Sequence, residues 1–273
     1  MIKPNENVVM DTNKPLRVMY INRSDKNNKN WLHFKHSHFF SEIFYNTGGS
    51  GEFIIEDRHI VVEKGDVVYI SPNIEHTELS SYTNPLEYFV IGADGVSFLS
   101  DHHQPIPYLK FKDSLRQLIY YFYQGHDEFS HPQKNSQLIV GNLVNTLLLL
   151  IERDQSITLK HEKTTMVNPE SALIKNYIDI HFKEGLTLDS LASHFHVNKY
   201  HLSHVFKKDY HVAPIKYLNK VRVENVKFLL ASTNYSILKI ATINGFTSQS
   251  YLAQMFKKEV GISPVDYRKA KNP

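Results

Sequence analysis

Tyr200-His201-Leu202-Ser203-His204-Val205-Phe206-Lys207-Lys208-Asp209 returns fifty residues later as Ser250-Tyr251-Leu252-Ala253-Gln254-Met255-Phe256-Lys257-Lys258-Glu259. Pro214 and Tyr217 fall on Pro264 and Tyr267, and upstream Leu191-Ala192 corresponds to Ile240-Ala241, with one residue added in the second copy. Each copy reads as a short helix, a tight turn and a second helix. The turn holds His196 in one copy and Gly245 in the other; glycine adopts positive φ freely, and histidine is among the less rare alternatives. In the second helices Leu202, Val205 and Phe206, or Leu252, Met255 and Phe256, recur at three- and four-residue spacing and must face a core. The opposite faces carry Lys199, Tyr200, Ser203, His204 and Lys207, and Ser248, Gln249, Ser250, Gln254 and Lys257. Amides and hydroxyls suit base edges and lysines suit phosphates, so the two helices read as DNA-facing. Phe206, Phe256, Tyr217 and Tyr267 are assigned to packing rather than to stacking on bases.

Between the copies, Pro214 to Leu230 reads as one helix, with Val223, Val226, Leu229 and Leu230 on one face. Its length of about 25 Å, widened by the flanking units, suits recognition helices in consecutive major grooves about 34 Å apart. Asn168, Thr187, Asn198, Ser236 and Thr247 are plausible N-caps, and seven helices fit between 168 and 273. Charge divides the same way. Residues 1–167 sum to −4 and residues 168–273 to +7, which together give the formal +3 of the chain. One helix–turn–helix pattern is as readily a packed helical hairpin. Two copies with matched lysines, a rigid spacer and a local excess of positive charge favour an anionic, double-stranded partner.

Gly245-Phe246-Thr247-Ser248-Gln249-Ser250-Tyr251-Leu252, Phe256-Lys257-Lys258, Gly261-Ile262-Ser263-Pro264 and Tyr267-Arg268 form a long motif. Through it, residues 187–269 resemble the AraC/XylS family of bacterial transcription regulators. The resemblance implies two helix–turn–helix units joined by a long helix, read into adjacent major grooves of promoter DNA. It places base contacts at Tyr200, Ser203 and His204 and at Gln249, Ser250 and Gln254. Asn198, Lys199, Lys207, Thr247, Ser248 and Lys257 complete the expected DNA-binding set. The first unit departs from the family at His196, where glycine is usual, and at His204, where arginine is frequent. A weaker or less specific contact by the first unit follows.

A length of 273 residues suggests two domains. The hydrophobic fraction of 41% and charged fraction of 22% are those of a globular chain. The absence of cysteine excludes disulfides, thiolate zinc sites and cysteine nucleophiles. The longest greasy stretch, Leu147 to Ile151, is far shorter than the ~20 residues of a membrane span. Met1 to Glu6 lacks the apolar core of a signal peptide, so a cytoplasmic location is expected.

The N-terminal half holds short β-rich runs, including Leu16–Ile21, Glu52–Ile55 and Asp66–Ile70, separated by Gly48-Gly49-Ser50-Gly51, Lys64-Gly65 and Ser71-Pro72-Asn73. Helices are expected at about 110–124 and 133–152. In the second, Leu138, Leu143, Leu147 and Ile151 form a packed face, a dimerisation face, or both. His36-Ser37-His38 followed by Glu42 looks like the first cupin motif, and Gly65 to His76 like a degraded second one. The expected fold is therefore α+β with two domains. A cupin-like β-barrel with following helices for effector binding and dimerisation occupies 1–152, a linker 153–167, and an all-α double helix–turn–helix domain 168–273.

Three readings compete for the histidines. His36, His38, Glu42 and His76 could converge on zinc, iron or manganese, which makes a metal-binding cupin enzyme fused to a DNA-binding domain the rival function. They could instead be satisfied buried polar groups. The preferred reading has no metal and no cofactor: Trp31, His36, His38, Glu42, Tyr45, Tyr69 and His76 line an effector pocket suited to a sugar or related metabolite. On this reading the chain is a homodimeric, non-enzymatic activator that works with RNA polymerase.

Overall fold

The alternating runs of the first half become ten strands and two helices in the computed structural model, which describes residues 16–25, 35–81, 84–162 and 168–271. Strands β1 (Arg17–Ser24), β7 (Glu87–Asp94), β2 (Ser41–Gly48), β5 (Asp66–Ile70) and β9 (Tyr108–Lys112) form one antiparallel sheet in that order. A second antiparallel sheet runs β4 (Arg58–Val62), β3 (Gly51–Ile55), β6 (His76–Ser80). The two sheets face each other across a core of Phe44, Val68, Ile70, Tyr88 and Val90 from the first and Phe53, Ile55 and Val62 from the second. The outer face of the large sheet carries Ile43, Tyr45, Val67, Tyr69, Phe89 and Ile91. It is covered by α1 (Ile119–Ser130) and α2 (Ser136–Gln155) through Phe122, Val140, Val144, Leu147, Leu148 and Ile151. Side chains alternate along a strand, so β2 sends Glu42 and Phe44 inward and Ile43 and Tyr45 outward.

Three sequence expectations change here. Tyr108–Lys112 alternates apolar and charged residues and pairs with β5, so the first helix starts at Ile119 rather than near 110. The packed stripe of α2 runs through Val140, Val144, Leu147, Leu148 and Ile151, while Leu138 is 67% exposed. The apolar residues of this helix, with the unbroken run Leu147–Ile151, offer several overlapping stripes, and this one shares only Leu147 and Ile151 with the expected set. Finally, much of the expected linker is built into the fold. α2 runs to Gln155, Ser156 reverses the chain at φ 53°, and β10 (Thr158–His161) pairs with β8 (Val96–Leu99). Ile157 and Leu159 pack on the outer core, which explains the pairing.

From residue 168 the described chain contains α3 (Pro169–His181), α4 (Leu188–His194), α5 (Lys199–Tyr210), α6 (Pro214–Ser232), α7 (Ile237–Ile243), α8 (Gln249–Val260) and α9 (Pro264–Lys271). The duplication is geometric as well as textual. α5 and α8 each have 12 residues, α4 and α7 each have seven, and both long helices end in a left-handed residue, His211 at φ 57° and Gly261 at φ 90°. The turns inside the units are left-handed too, at His196 (φ 54°) and Gly245 (φ 70°). Asn168, Thr187, Asn198 and Ser236 cap their helices. The cap of α8 is Ser248 rather than Thr247: Ser248 Oγ accepts from Tyr251 N at 3.1 Å, and the hydroxyl of Thr247 lies one residue too early for that geometry.

α6 divides two cores. Its first part joins α3, α4 and α5 around Phe182, Leu202 and Phe206, with Tyr217 against them. Its second part joins α7 and α8 around Phe246, Leu252 and Phe256, with Tyr267 against them. α3 belongs to two halves at once: Ile174 and Ile178 sit in the first helical core, while Ala172 sits in the core between the two sheets. Among the described residues, no helix is long and apolar enough to cross a membrane.

Candidate functional site

Burial of Leu202, Val205 and Phe206 turns the other side of α5 outward. Asn198, Tyr200, His204 and Lys207 are exposed, and Lys199 and Ser203 half-buried. Tyr200, at 76% exposure, is a large ring held in water. Lys199 is tied to Asp189 at 2.9 Å, and Asn198 Oδ1 accepts from Tyr200 N at 2.8 Å, so these two also brace the helix start. On α8, Leu252 and Phe256 are buried and Met255 half-buried, while Thr247, Ser248, Gln249, Ser250, Gln254 and Lys257 are exposed. All twelve predicted DNA-facing residues thus lie on the accessible sides of the two repeated helices.

α6 fixes the units to one another. Arg222 is buried, with Nε donating to Phe182 O at 2.7 Å and Nη2 donating to Glu184 O at 2.6 Å. Its guanidinium lies over the Phe246 ring, 5.6 Å from the centroid, so one side chain grips the end of α3 and the turn of the second unit. A Cβ at Gly245 would stand 2.6 Å from Lys183 O, so any other residue would force that backbone to shift, whatever its φ. Asn225 Nδ2 donates to Asn244 Oδ1 at 2.5 Å, and Asn219 Nδ2 to Tyr251 Oη at 3.3 Å. None of these α6 residues carries a sequence signal, because their partners lie roughly 20 to 40 residues away.

The inner face of the β-domain holds the second constellation. His36 and His38 lie not on a strand but on the segment leading into β2. His36 exchanges two 2.9 Å backbone hydrogen bonds with His76 of β6, and His38 O accepts from Asn73 N at 2.6 Å. These bonds bring His36, His38 and His76 around Glu42, with one ligand atom from each within 4.8 Å of all the others. Glu42 Oε2 is 2.7 Å from His76 Nε2 and 3.7 Å from His38 Nε2; Glu42 Oε1 accepts from the Tyr20 hydroxyl. His76 Nδ1 is 2.9 Å from Ile74 O.

Burial holds the His36 and His38 imidazoles well below the usual histidine range, reinforced by the neighbouring His76 at His36 and by Lys175 at His38. Burial also opposes charge on Glu42, but the His76 imidazolium outweighs it and holds the carboxyl below its ordinary value; His76 is raised in return. Burial pushes Glu78, beside them, up to about 7.

The structure brings His36, His38, Glu42 and His76 together and separates the other expected pocket residues from them. Tyr45 and Tyr69 occupy the outer face of the large sheet. There the Tyr69 hydroxyl bridges Ser41 Oγ at 3.1 Å and Ser71 Oγ at 2.9 Å and accepts from Phe98 N at 3.3 Å. Strand alternation is the reason: Tyr69 pairs with Ile43, whereas Glu42 pairs with Ile70. Trp31 lies outside the described residues. The inner wall is completed by Tyr20, Glu78 and Tyr88 and, from α3, by Asn176 and Asp179. Period-two reading of β1 and β7 was the available signal for the tyrosines; Gly92 leaves room for the Tyr20 ring, which a Cβ there would meet at 2.8 Å. The enclosed space is only about 50 Å³. A separate groove of about 850 Å³ lies between Lys35 and Ser37 on one side and Lys220, Glu224 and Lys227 of α6 on the other.

Residues 191–270 match the family model described as a helix-turn-helix domain, and residues 19–130 the model described as an AraC-like ligand binding domain. The chain is 26% identical over 236 residues to the probable transcriptional regulator LumQ of Photobacterium leiognathi, covering 85% of this chain and 91% of that protein. It is 24% identical over 255 residues to the HTH-type transcriptional activator RhaS of Escherichia coli (strain SMS-3-5 / SECEC), covering 87% and 88%. A shorter match, 40% identical over 96 residues, covers 35% of this chain and 46% of the bifunctional transcriptional activator/DNA repair enzyme AdaA of Bacillus subtilis (strain 168). Among solved structures, the C-terminal domain of AraT, a response regulator from Geobacillus stearothermophilus, is 34% identical with a TM-score of 0.38, covering 39% of this chain and 88% of that one.

Proposed function

This chain belongs to the AraC family of transcription regulators, with a ligand-binding domain followed by a helix–turn–helix domain, and from that premise we propose how it reads DNA and what controls it. α5 and α8 enter successive major grooves of promoter DNA. Tyr200, Ser203, His204, Gln249, Ser250 and Gln254 meet base edges; Lys199, Lys207 and Lys257, with Asn198, Thr247 and Ser248 at the helix starts, hold the backbone. The observation that carries this reading is the pair of equal, outward-facing polar helices packed against the two parts of α6, with Arg222 tying the end of α3 to the turn of the second unit.

The cupin-like β-domain binds a small effector, and occupancy biases DNA affinity because α3 contributes to both halves. A sugar or related metabolite is too large for a 50 Å³ space and would take the 850 Å³ groove beside α6 or a more open β-domain. The protein acts as a cytoplasmic activator that engages RNA polymerase as a homodimer, and exposed Leu138 and Ile139 on α2 are the apolar side chains free for a second copy. No enzymatic step is assigned; the match to AdaA, a bifunctional protein, spans only 96 residues.

The test uses the full chain and a duplex enriched by it from a randomised pool, read by fluorescence anisotropy over a salt series. Log affinity should fall linearly with log salt, and Lys207→Ala or Lys257→Ala should each reduce the slope by about 1. Gln254→Ala should instead relax base preference in one half-site. A flat salt response overturns the reading.

A further inference from the structure

We propose that the groove of about 850 Å³ between the β-domain and α6 is the effector site, and that its ligand is a phosphorylated small metabolite held by its dianionic phosphate. The proposal rests on the regulator reading above and names the chemical class of its effector. Five lysines line the groove, Lys35, Lys175, Lys220, Lys227 and Lys271, against one carboxylate, Glu224. The volume lies within the ~300–1,000 Å³ of sites for small organic ligands.

Both halves of the chain build this groove. Tyr217, Lys220, Val221, Glu224, Lys227 and Phe228 recur at three- and four-residue spacing, so a single face of α6 lines it. Tyr217, Val221 and Phe228 offer apolar surface to a carbon skeleton, and the lysines offer charge to its phosphate. Lys35 and Ser37 stand on the opposite wall, and α9 adds Tyr267 and Lys271, four residues apart. Lys227 is held by Glu224 at 2.8 Å and Lys35 by Asp57 at 3.0 Å. Lys220 and Lys271 are exposed and bridge no carboxylate among the described residues. Two uncompensated ammonium groups match a dianion, which lysine binds as a point charge. Lys175 is only 9% exposed, within reach of a small anion in the groove and out of reach of a nucleic-acid backbone.

The same groove reaches the side chains that join α3 to α6. Lys175 Nζ donates to Asp179 at 2.9 Å and lies 5.4 Å from the centroid of the Tyr217 ring, and Asp179 accepts from the Tyr217 hydroxyl at 2.7 Å. Asp179 and His36 also line the inner cavity of the β-domain, while Lys175 and His36 line the groove, so this network stands between the two spaces. A phosphate in the groove competes with Asp179 for Lys175. It also draws Lys35 of the β-domain and Lys220 of α6 toward one charge. The ligand therefore binds more tightly when those two walls are close, and α6 contributes to the cores of both DNA-reading units. Its differential affinity for the two arrangements is the coupling.

The experiment titrates untagged full-length protein by calorimetry, in phosphate-free buffer at constant ionic strength. The probes are inorganic phosphate, glucose and three phosphate monoesters: glucose 6-phosphate, ribose 5-phosphate and glycerol 3-phosphate. At least one ester should bind with one equivalent, about 10-fold or more tighter than inorganic phosphate and than glucose. The double variant Lys220→Ala/Lys271→Ala should weaken that binding at least about 10-fold. Anisotropy on the enriched duplex should show DNA affinity changed about 10-fold by the ester in wild type and not in the variant. Thermal melting establishes that the variant is folded; were it not, Lys271→Gln alone, at the last residue of α9, makes the same comparison. No saturable binding by any ester, or binding unchanged in the folded variant and so owed to other lysines, overturns the site. Inorganic phosphate binding as tightly as every ester assigns the groove to the free ion and overturns the metabolite, and glucose binding as tightly as its phosphate overturns the role of the lysines. An ester that binds and leaves DNA affinity unchanged overturns its place as effector. Absence of DNA binding in every state refutes the regulator reading instead, and leaves the calorimetry to judge the site alone.

Discussion

Replacing Gly245 by alanine should cost about 2–4 kcal/mol of stability in the helical half, and the two copies of the unit supply the internal control. At φ 70° an L side chain pays about 1 kcal/mol of left-handed strain. The added Cβ would also stand 2.6 Å from Lys183 O, 2.8 Å from Lys183 C and 2.9 Å from Arg222 Nη2. Two of these are backbone atoms at the end of α3, so relief requires moving that segment and weakening the Arg222 bonds to Phe182 O or Glu184 O, charge-assisted contacts worth about 1.5–3 kcal/mol. Reduced freedom of the unfolded chain returns about 0.4–1 kcal/mol. His196→Gly, at the matching turn, removes similar strain at φ 54° but adds unfolded-state freedom, so it should fall within about 0.5 kcal/mol of wild type. Urea unfolding followed by helical circular dichroism measures both. A Gly245→Ala midpoint equal to that of wild type refutes the close-approach argument. So does an equal loss in His196→Gly.

Arg222→Ala should cost about 3–5 kcal/mol by stranding the Phe182 and Glu184 carbonyls, and should weaken DNA binding beyond its effect on folding because the units lose their common anchor; unchanged affinity in a folded variant would contradict this. Burial pushes Asp66 up, but Glu63 N, Lys110 and Lys112 outweigh it and hold the carboxyl below its usual value. Its stabilisation is therefore present above the unfolded carboxylate pKa and lost as pH falls through the native one. Melting curves of wild type and Asp66→Asn should accordingly converge below about pH 4, and a gap that persists in acid would be evidence against it. Tyr69→Phe should cost about 1–2 kcal/mol with the ligand response intact, while Tyr20→Phe should cost about 1–3 kcal/mol, since it strands a buried carboxylate oxygen, and should alter the response as well. A ligand response altered in Tyr69→Phe and intact in Tyr20→Phe would mean the two faces of the sheet have been exchanged.

The helical half was legible because its signals are local. Caps, three- and four-residue spacing and the fifty-residue repeat each concern neighbours in the chain, and among the caps only the step from Thr247 to Ser248 needed coordinates. In the β-domain the motif residues were legible and the pocket was not. His36, His38, Glu42 and His76 meet through a backbone bridge that pins a non-strand segment to β6. Tyr45 and Tyr69 fall on the far face because the register of β2 with β5 decides sidedness. A one-residue change of register would reverse that outcome, and a single sequence does not encode its own strand partners. Arg222 and Asp179 were silent for a related reason: each acts on partners nearly forty residues away.

α3 also limits how this molecule can move. Because Ala172 is locked between the sheets while Ile174 and Ile178 are locked in the helical core, lifting the helix away would open two interiors together. The inexpensive motions left to it are rotation about its long axis and a short slide along it. β10, stitched to β8, holds the chain to the β-domain as far as His161. Because α6 contributes to both helical cores, a shift of α3 against it would reach both repeated units together rather than one alone.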